Sequence, residues 1–315
     1  MIPSHINNYL SLFRFDHIIK QLFVIPGIIL AIALGYEANL MNIVLGLFCV
    51  QFAASSNYII NEWLDRKYDL YNPKKKNRPS VTNKVKKKVV FTLYGVTTLS
   101  VIFLSYLINP YFFYTIVFFL IMGILYNVEP FRTKDVAFLD VISESINNPI
   151  RLLLGYFMFE VGEILPSSLI IFYWSAGAFL MTCKRLAEYN SINKSILIKY
   201  RKSFENYSKQ NLMMLIYFFS MIAISMITIF MIKYKIEFIF FIISLIILFV
   251  FYFNLSLKPN SIVQNVEYLY KEKSLMMILI FIVIIFLVSL FLNFELLEIL
   301  EKPLNFSFYN LNFSG

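Results

Sequence analysis

The sequence predicts an all-α integral membrane protein of about nine transmembrane helices, with its N-terminus in the cytoplasm. Three observations carry this. The 315 residues are 59% hydrophobic and only 15% charged, with a mean hydropathy of +0.70, whereas an ordinary soluble domain is roughly 25% charged. Apolar runs long enough to cross a ~30 Å hydrocarbon core as helices recur along the whole chain. With the N-terminus placed inside, 24 of the 28 Lys and Arg fall in the segments on that same side, the asymmetry that orients membrane helices.

Taken in order, the expected spans are 18–36, 41–60, 89–108, 110–126, 137–158, 165–185, 211–232, 236–254 and 274–294. The polar segment before the first is about 20 residues long, so this run reads as a span rather than as a cleaved leader. The second runs into a stretch dense in acids and lysines, Ser56 to Ser80. The third and fourth meet at Asn109-Pro110, the fifth carries polar residues, and the sixth ends in a cationic segment. The seventh, eighth and ninth complete the count, which puts the C-terminus outside. Only Lys233, Lys235 and Lys302 lie on that opposite side, and Arg151 falls inside a helix. The net charge of +9 therefore reflects topology and anionic substrates, and no nucleic-acid partner is expected. Cys49 and Cys183 both fall within expected helices, so no disulfide framework is implied. With no linker or low-complexity tail, 1–315 reads as one domain.

The chemistry starts in SNYIINEWLDRKYDLYNPKKKNRPS. On a helix, Glu62, Asp65 and Asp69 sit at i, i+3 and i+7, within a sector of about 60°, and Asn57 and Asn61 extend the stripe. Three carboxylates on one face repel one another unless a cation lies between them, and hard oxygen ligands with room for water and phosphate suit Mg²⁺. A solvated helix end would explain one acid, but not a spaced triad with two asparagines at a membrane boundary. The lysines from Lys74 onward chiefly anchor the cytoplasmic face.

A second constellation comprises Asp140, Glu144, Asn147, Asn148 and Arg151, one polar stripe running into the expected fifth helix. Ionisable residues at membrane depth face a cavity and are functional by default. The alternative, an internal acid–arginine pair that fixes packing, needs fewer than five polar groups. Arg132 and Lys134 lie at its mouth, where they can hold phosphate oxygens. The third is TCKRLAEYN, with Lys184 and Glu188 as i,i+4 partners and Arg185 beside them; a cytoplasmic helix end would carry such cations anyway. Arg14, His17 and Lys20 recur at three-residue spacing, with His17 expected as an interface partner rather than a catalyst. There is no phosphate-binding glycine loop, histidine cluster or nucleophile elbow.

These residues resemble the UbiA superfamily of intramembrane prenyltransferases. Its Asp-rich motif of the form N-D-x-x-D-x-x-x-D, followed by R-P, is matched by Asn61, Glu62, Asp65 and Asp69, then Arg78-Pro79. Its Tyr-led segment is matched by Tyr126, Arg132, Lys134 and Asp140. The chain is most similar to the decaprenyl-phosphate phosphoribosyltransferase-like branch, in the spacing of Asp140, Arg151 and Gly155, in Lys184-Arg185-x-x-Glu188, and in Arg14 with Lys20. Glu62 departs from the family's Asp, Glu129-Pro130 looks more like the prenyltransferase branch, and Ser143 to Pro149 lacks the glycine-containing stretch of the phosphoribosyl branch.

The resemblance implies a nine-helix bundle and a Mg²⁺-dependent transferase with a diphosphate leaving group. Glu62, Asp65, Asp69, Asp140 and Glu144 are then the expected metal ligands, with Asp65, Asp69, Asp140 and Lys134 catalytic. Asn57, Asn61, Arg78, Arg132, Arg151, Lys184, Arg185, Glu188, Arg14 and Lys20 are expected to bind substrate. The expected partners are a diphosphate-bearing donor, phosphoribosyl pyrophosphate, and a polyprenyl phosphate in the bilayer. The alternative keeps the metal site and transfers a prenyl group from a polyprenyl diphosphate to an aromatic acceptor. A third reading, a transporter without chemistry, would predict an inverted repeat and broken midplane helices, which the sequence does not display.

Overall fold

The computed structural model describes residues 4–72, 74–234, 236–264 and 266–291. Described secondary structure is helical throughout. Among the described residues, six stretches are long and apolar enough to cross a membrane: Ile6–Ala33, Leu40–Asp69, Lys87–Tyr106, Pro110–Asn127, Lys209–Lys233 and Ile239–Leu257. Residues 292–294 of the expected ninth span, Lys235 and Lys302 lie outside the described residues.

A short helix α1 (Ser4–Leu10) turns at Arg14, whose φ of 51° is left-handed, into a 3-10 stretch (Phe15–Val24) that continues as α2 (Ile25–Ala33). Helix α3 (Leu40–Asp69) is capped by Asn39, which accepts from the Met41 and Asn42 amides at 3.0 and 3.3 Å; such a side chain satisfies donors the first turn leaves orphaned. It runs nine residues past the expected end at 60, so Glu62, Asp65 and Asp69 are all on regular helix. Helix α4 (Lys87–Tyr106) leads to α5 (Pro110–Asn127), which Asn109 caps through the Phe112 amide at 2.8 Å, with Pro110 in its first turn. Proline is suited there because its missing N–H has no intrahelical partner in any case.

The expected single helix 137–158 is instead two, α6 (Leu139–Ser145) and α7 (Asn147–Tyr156), broken at Ile146. Pro149 accounts for the break. It has no N–H for a carbonyl one turn back, and its ring would crowd the carbonyl of Ser145. Then follow α8 (Ser167–Ser191), α9 (Lys194–Tyr200), α10 (Lys209–Tyr234), α11 (Ile239–Leu257) and α12 (Lys273–Phe291). Helix α2 packs on α7, α3 on α4 and α5, α8 on α10, and α11 on α10 and α12. The outer faces present large apolar side chains such as Leu99, Phe103, Met221 and Val250, as a lipid-facing surface requires. Both cysteines are buried and free.

The α2–α7 contact is close because it is glycine on both sides. A Cβ at Gly27 would lie 2.1 Å from the Leu152 carbonyl oxygen, and one at Gly155 would lie 2.1 Å from the Val24 carbonyl oxygen. Small residues let membrane helices approach in this way, and backbone cannot give as a flexible side chain can. Gly155→Ala is expected to destabilise the protein by about 1–3 kcal/mol. The measurement is the melting temperature in detergent, and an unchanged value would disprove the packing argument.

Candidate active site

The cationic segments converge at one end of the bundle, around a cavity of about 1220 Å³. Its walls come from the N-terminal segment, α3, the loop after α3, α5 to α9 and the segment before α12. Of the residues expected to function there, Arg14, Lys20, Asn57, Asn61, Glu62, Arg78, Glu144, Arg151, Lys184, Arg185 and Glu188 line it. Asp65, Asp69, Arg132, Lys134 and Asp140 are buried behind residues that do.

Helix α3 supplies the acidic wall, and each acid meets a basic or hydroxyl partner from a loop. Glu62 accepts from the Ser80 hydroxyl at 3.0 Å and lies 3.9 Å from Arg78. Arg78 also donates to Asp69 at 2.7 Å, and Lys75 stands 3.4 Å from the other Asp69 oxygen. Asp65 Oδ1 takes Arg132 at 2.8 Å and Lys134 at 2.5 Å. Arg132 has a positive φ of 26°. Its bonds to Asp65, Asp135 and the Asn127 carbonyl, at 2.8, 2.8 and 2.9 Å, hold that turn in place. Asn127 is the hub behind this wall: it accepts from Lys134 at 2.7 Å and from Asn61, and donates to the Gly123 carbonyl at 2.8 Å. Asn57 fits against Gly123 because a Cβ there would come within 2.0 Å of its Oδ1.

The second constellation is not one stripe. The break at Ile146 divides it, so Glu144, Asn147 and Arg151 line the cavity while Asn148 packs against Gly177 on α8. Arg151 is anchored by Gln21 at 3.2 Å and the Asn147 carbonyl at 3.1 Å, with its guanidinium 5.3 Å from the Phe119 ring centroid. Asp140, expected as a metal ligand and catalyst, is fully buried and saturated by protein donors. Its Oδ2 accepts from Arg185 at 2.8 Å, Ser203 at 3.3 Å and Arg201 at 3.5 Å, and its Oδ1 from the Tyr207 hydroxyl. It holds two arginines, and being fully buried and not among the residues that line the cavity it is not placed to meet an ion there.

Two further expectations are corrected. Glu188 accepts from Arg185 at 2.8 Å, at i,i+3, rather than pairing with Lys184 at i,i+4. The five-acid metal set also does not form one cluster. Among the described residues no three His, Cys, Asp or Glu side chains come together closely enough to hold an ion. Glu144 stands on α6, across the cavity from α3, and Asp140 is turned toward α8.

His17 is buried, 5.2 Å from the Tyr58 ring and in contact with Arg14. The sequence reading missed Lys75, Asn127, Tyr200, Arg201 and Tyr207. Lys75 and Arg201 entered only as orienting charges, and Asn127 adjoins Tyr126 in the motif. Nothing local marks Tyr207, which is 67 residues from its partner Asp140.

The electrostatics follow. Nine Lys and Arg line the cavity (Lys20, Lys74, Lys75, Lys184, Arg14, Arg78, Arg151, Arg185 and Arg201) against four acids, Asp16, Glu62, Glu144 and Glu188. Burial draws the Lys134 ammonium down to about 8, with Asp65 opposing. Burial likewise lowers Lys75, with Asp69 opposing, and raises the Tyr200 hydroxyl. Four buried polar atoms of lining residues lack a hydrogen-bond partner: Asn57 Oδ1, Asn147 Oδ1, Arg185 Nη2 and the Tyr200 oxygen. Buried polar groups are nearly always satisfied; Asn57 Oδ1 is packed against Gly123, while Arg185 Nη2 and the Tyr200 hydroxyl are donors without an acceptor. The lining is predominantly cationic.

The sequence matches the family described as the UbiA prenyltransferase family over residues 22–265. Solved structures with the same fold include a UbiA homolog from Archaeoglobus fulgidus bound to DMAPP and Mg²⁺, 19% identical, covering 90% of this chain and 100% of that one, with a TM-score of 0.68. The homolog bound to GPP and Mg²⁺ is 18% identical over 90% and 99% of the two chains, also at 0.68. A structure of digeranylgeranylglyceryl phosphate synthase is 16% identical over 91% and 98%, at 0.65. No curated protein matches the chain in sequence.

Proposed function

This chain belongs to the UbiA prenyltransferase family, and on that premise we propose that it is a Mg²⁺-dependent intramembrane transferase that moves 5-phosphoribose from phosphoribosyl pyrophosphate to a polyprenyl phosphate. The observation that carries this reading is the charge of the cavity, nine cations against four acids. One diphosphate donor has its counter-charges in Arg78, Arg132 and Lys134. The cations on the other walls, Arg151, Lys184, Arg185 and Arg201, call for a second anionic reactant, and a lipid phosphate is one. We take 1–315 as one catalytic unit, with the cavity opening toward the cytoplasm.

The donor set fits Mg²⁺. This ion keeps several waters and is held by one or two carboxylates together with substrate phosphates. Glu62, Asn57 and Asn61 line the cavity, and Glu62 offers a carboxylate there. Asp65 and Asp69, one and two turns along α3, stand behind Glu62 and would add negative charge near the ion. The neighbours' complexes with DMAPP or GPP and Mg²⁺ support a Mg²⁺-dependent reaction of a diphosphate donor. When bound, the ion supplies positive charge to the departing diphosphate.

The residues of the chain then have distinct tasks. Arg78, Arg132 and Lys134, which neutralise Asp69 and Asp65, transfer their attraction to phosphate oxygens as the bond from the anomeric carbon to diphosphate breaks. Stabilising charge as it develops is the largest single term in such reactions. A lipid phosphate oxygen, held by Arg151 and Lys184 with Arg185, forms the new bond to that carbon. The nucleophile is already anionic, so no general base is required.

The experiment uses purified protein in detergent with Mg²⁺, radiolabelled phosphoribosyl pyrophosphate and a polyprenyl phosphate. Label is expected in the organic phase. Phe119 and Tyr126 also line the cavity, and aromatic faces shield cations, so a second reading is prenyl transfer from a polyprenyl diphosphate to an aromatic acceptor. No label transfer, together with prenyl diphosphate consumed by an aromatic acceptor, would replace the first reading with the second.

A further inference from the structure

We propose that Arg185, Tyr200 and Arg201 form a second anion subsite in the cavity, one that takes a phosphate monoester directly, without a metal ion. The proposal rests on the transferase reading above and specifies how one phosphate of its reactants is seated. Asp140 Oδ2 accepts from Arg185 Nε at 2.8 Å and from Arg201 Nη1 at 3.5 Å, so a single oxygen holds two guanidiniums side by side. Arg185 directs Nη1 to Glu188 at 2.8 Å, and Arg201 Nη1 reaches the Tyr126 hydroxyl at 3.2 Å. Asp140 and Glu188 are therefore both engaged by arginine.

What remains is a pair of donors. Arg185 is 1% exposed and Tyr200 7% exposed, yet Arg185 Nη2 and the Tyr200 hydroxyl have no partner, and both residues line the cavity with Arg201 and Lys184. A guanidinium with a free N–H edge and a neighbouring hydroxyl match the terminal oxygens of a phosphate monoester in geometry and charge. A diphosphate has other counter-charges, in Arg78 on the cavity and in Arg132 and Lys134 behind its lining. Two monoesters have the right chemistry, the lipid phosphate and the 5-phosphate of the sugar donor.

The test is equilibrium binding to the full-length protein in detergent with EDTA present, using farnesyl monophosphate in one arm and ribose 5-phosphate in the other. At least one is expected to bind, and Tyr200→Phe, which removes a single hydroxyl, is expected to weaken that binding about tenfold with an unchanged melting temperature. Arg201→Lys, which keeps the charge but not the guanidinium, is expected to weaken it as well. Binding of the lipid assigns the subsite to the acceptor, and binding of the sugar assigns it to the donor. The proposal is overturned if neither monoester binds without Mg²⁺, or if Tyr200→Phe binds like the wild type. The phosphoribosyl reading fails on a different result, absence of label transfer with Mg²⁺ present, which leaves the EDTA measurement standing.

Discussion

Asp65→Asn is expected to lower the rate of transfer by about three orders of magnitude while the protein still folds. Asp65 Oδ1 is the point where Arg132 and Lys134 meet, at 2.8 and 2.5 Å. Asparagine keeps the side-chain shape and an oxygen in that place, so the hydrogen bonds from Arg132 and Lys134 can persist. It removes the negative charge that a hard cation needs and leaves Lys134 without its counter-ion, while Arg132 keeps Asp135 at 2.8 Å. Asp65→Ala would remove the acceptor as well, so asparagine separates chemistry from folding more cleanly. Transfer of label into the organic phase is the activity readout, and gel filtration with a melting curve in detergent is the folding readout. A rate within tenfold of wild type would show that the α3 acids do not carry the reaction.

Asp140→Ala is expected to act in the opposite way, through stability. Removing this carboxylate would strand Arg185, which is 1% exposed, and Arg201, and would leave the Ser203 and Tyr207 hydroxyls without their acceptor. Breaking a buried ion pair by deleting one partner typically costs about 3–5 kcal/mol, because the other charge is left buried and uncompensated. The melting temperature in detergent should therefore fall sharply. The Mg²⁺ concentration needed for half-maximal donor binding by the remaining folded protein should stay as in the wild type, since Asp140 is fully buried and does not line the cavity. A stable protein with weakened Mg²⁺ dependence would restore Asp140 to the metal site.

The two variants mark what can be read from spacing along one helix. Glu62, Asp65 and Asp69 were legible because their period matches α3, and α3 is regular helix through all three. The same reasoning failed over Asp140 to Arg151, where Pro149 ends the regularity and the assumed common face divides into cavity, packing and clamp positions. It also failed at Glu188, where i,i+3 and i,i+4 neighbours are both within reach and the observed partner is the guanidinium that Asp140 also holds. Arg201 and Tyr207 carried no local signal, because their partner Asp140 lies on α6.

By itself the sequence determined the membrane class, the approximate positions of most of the helices, the acidic stripe of α3, and family membership. These are consequences of hydrophobic run length, backbone hydrogen bonding and residues neighbouring one another along a single chain segment. Only the tertiary structure decided which acids face the cavity, which are neutralised by arginine or lysine, and which donors are left for a ligand. A side chain's period along its own helix gives its direction, but its chemistry depends on what stands opposite, and for Asp140 that is contributed by residues 45 to 67 positions away.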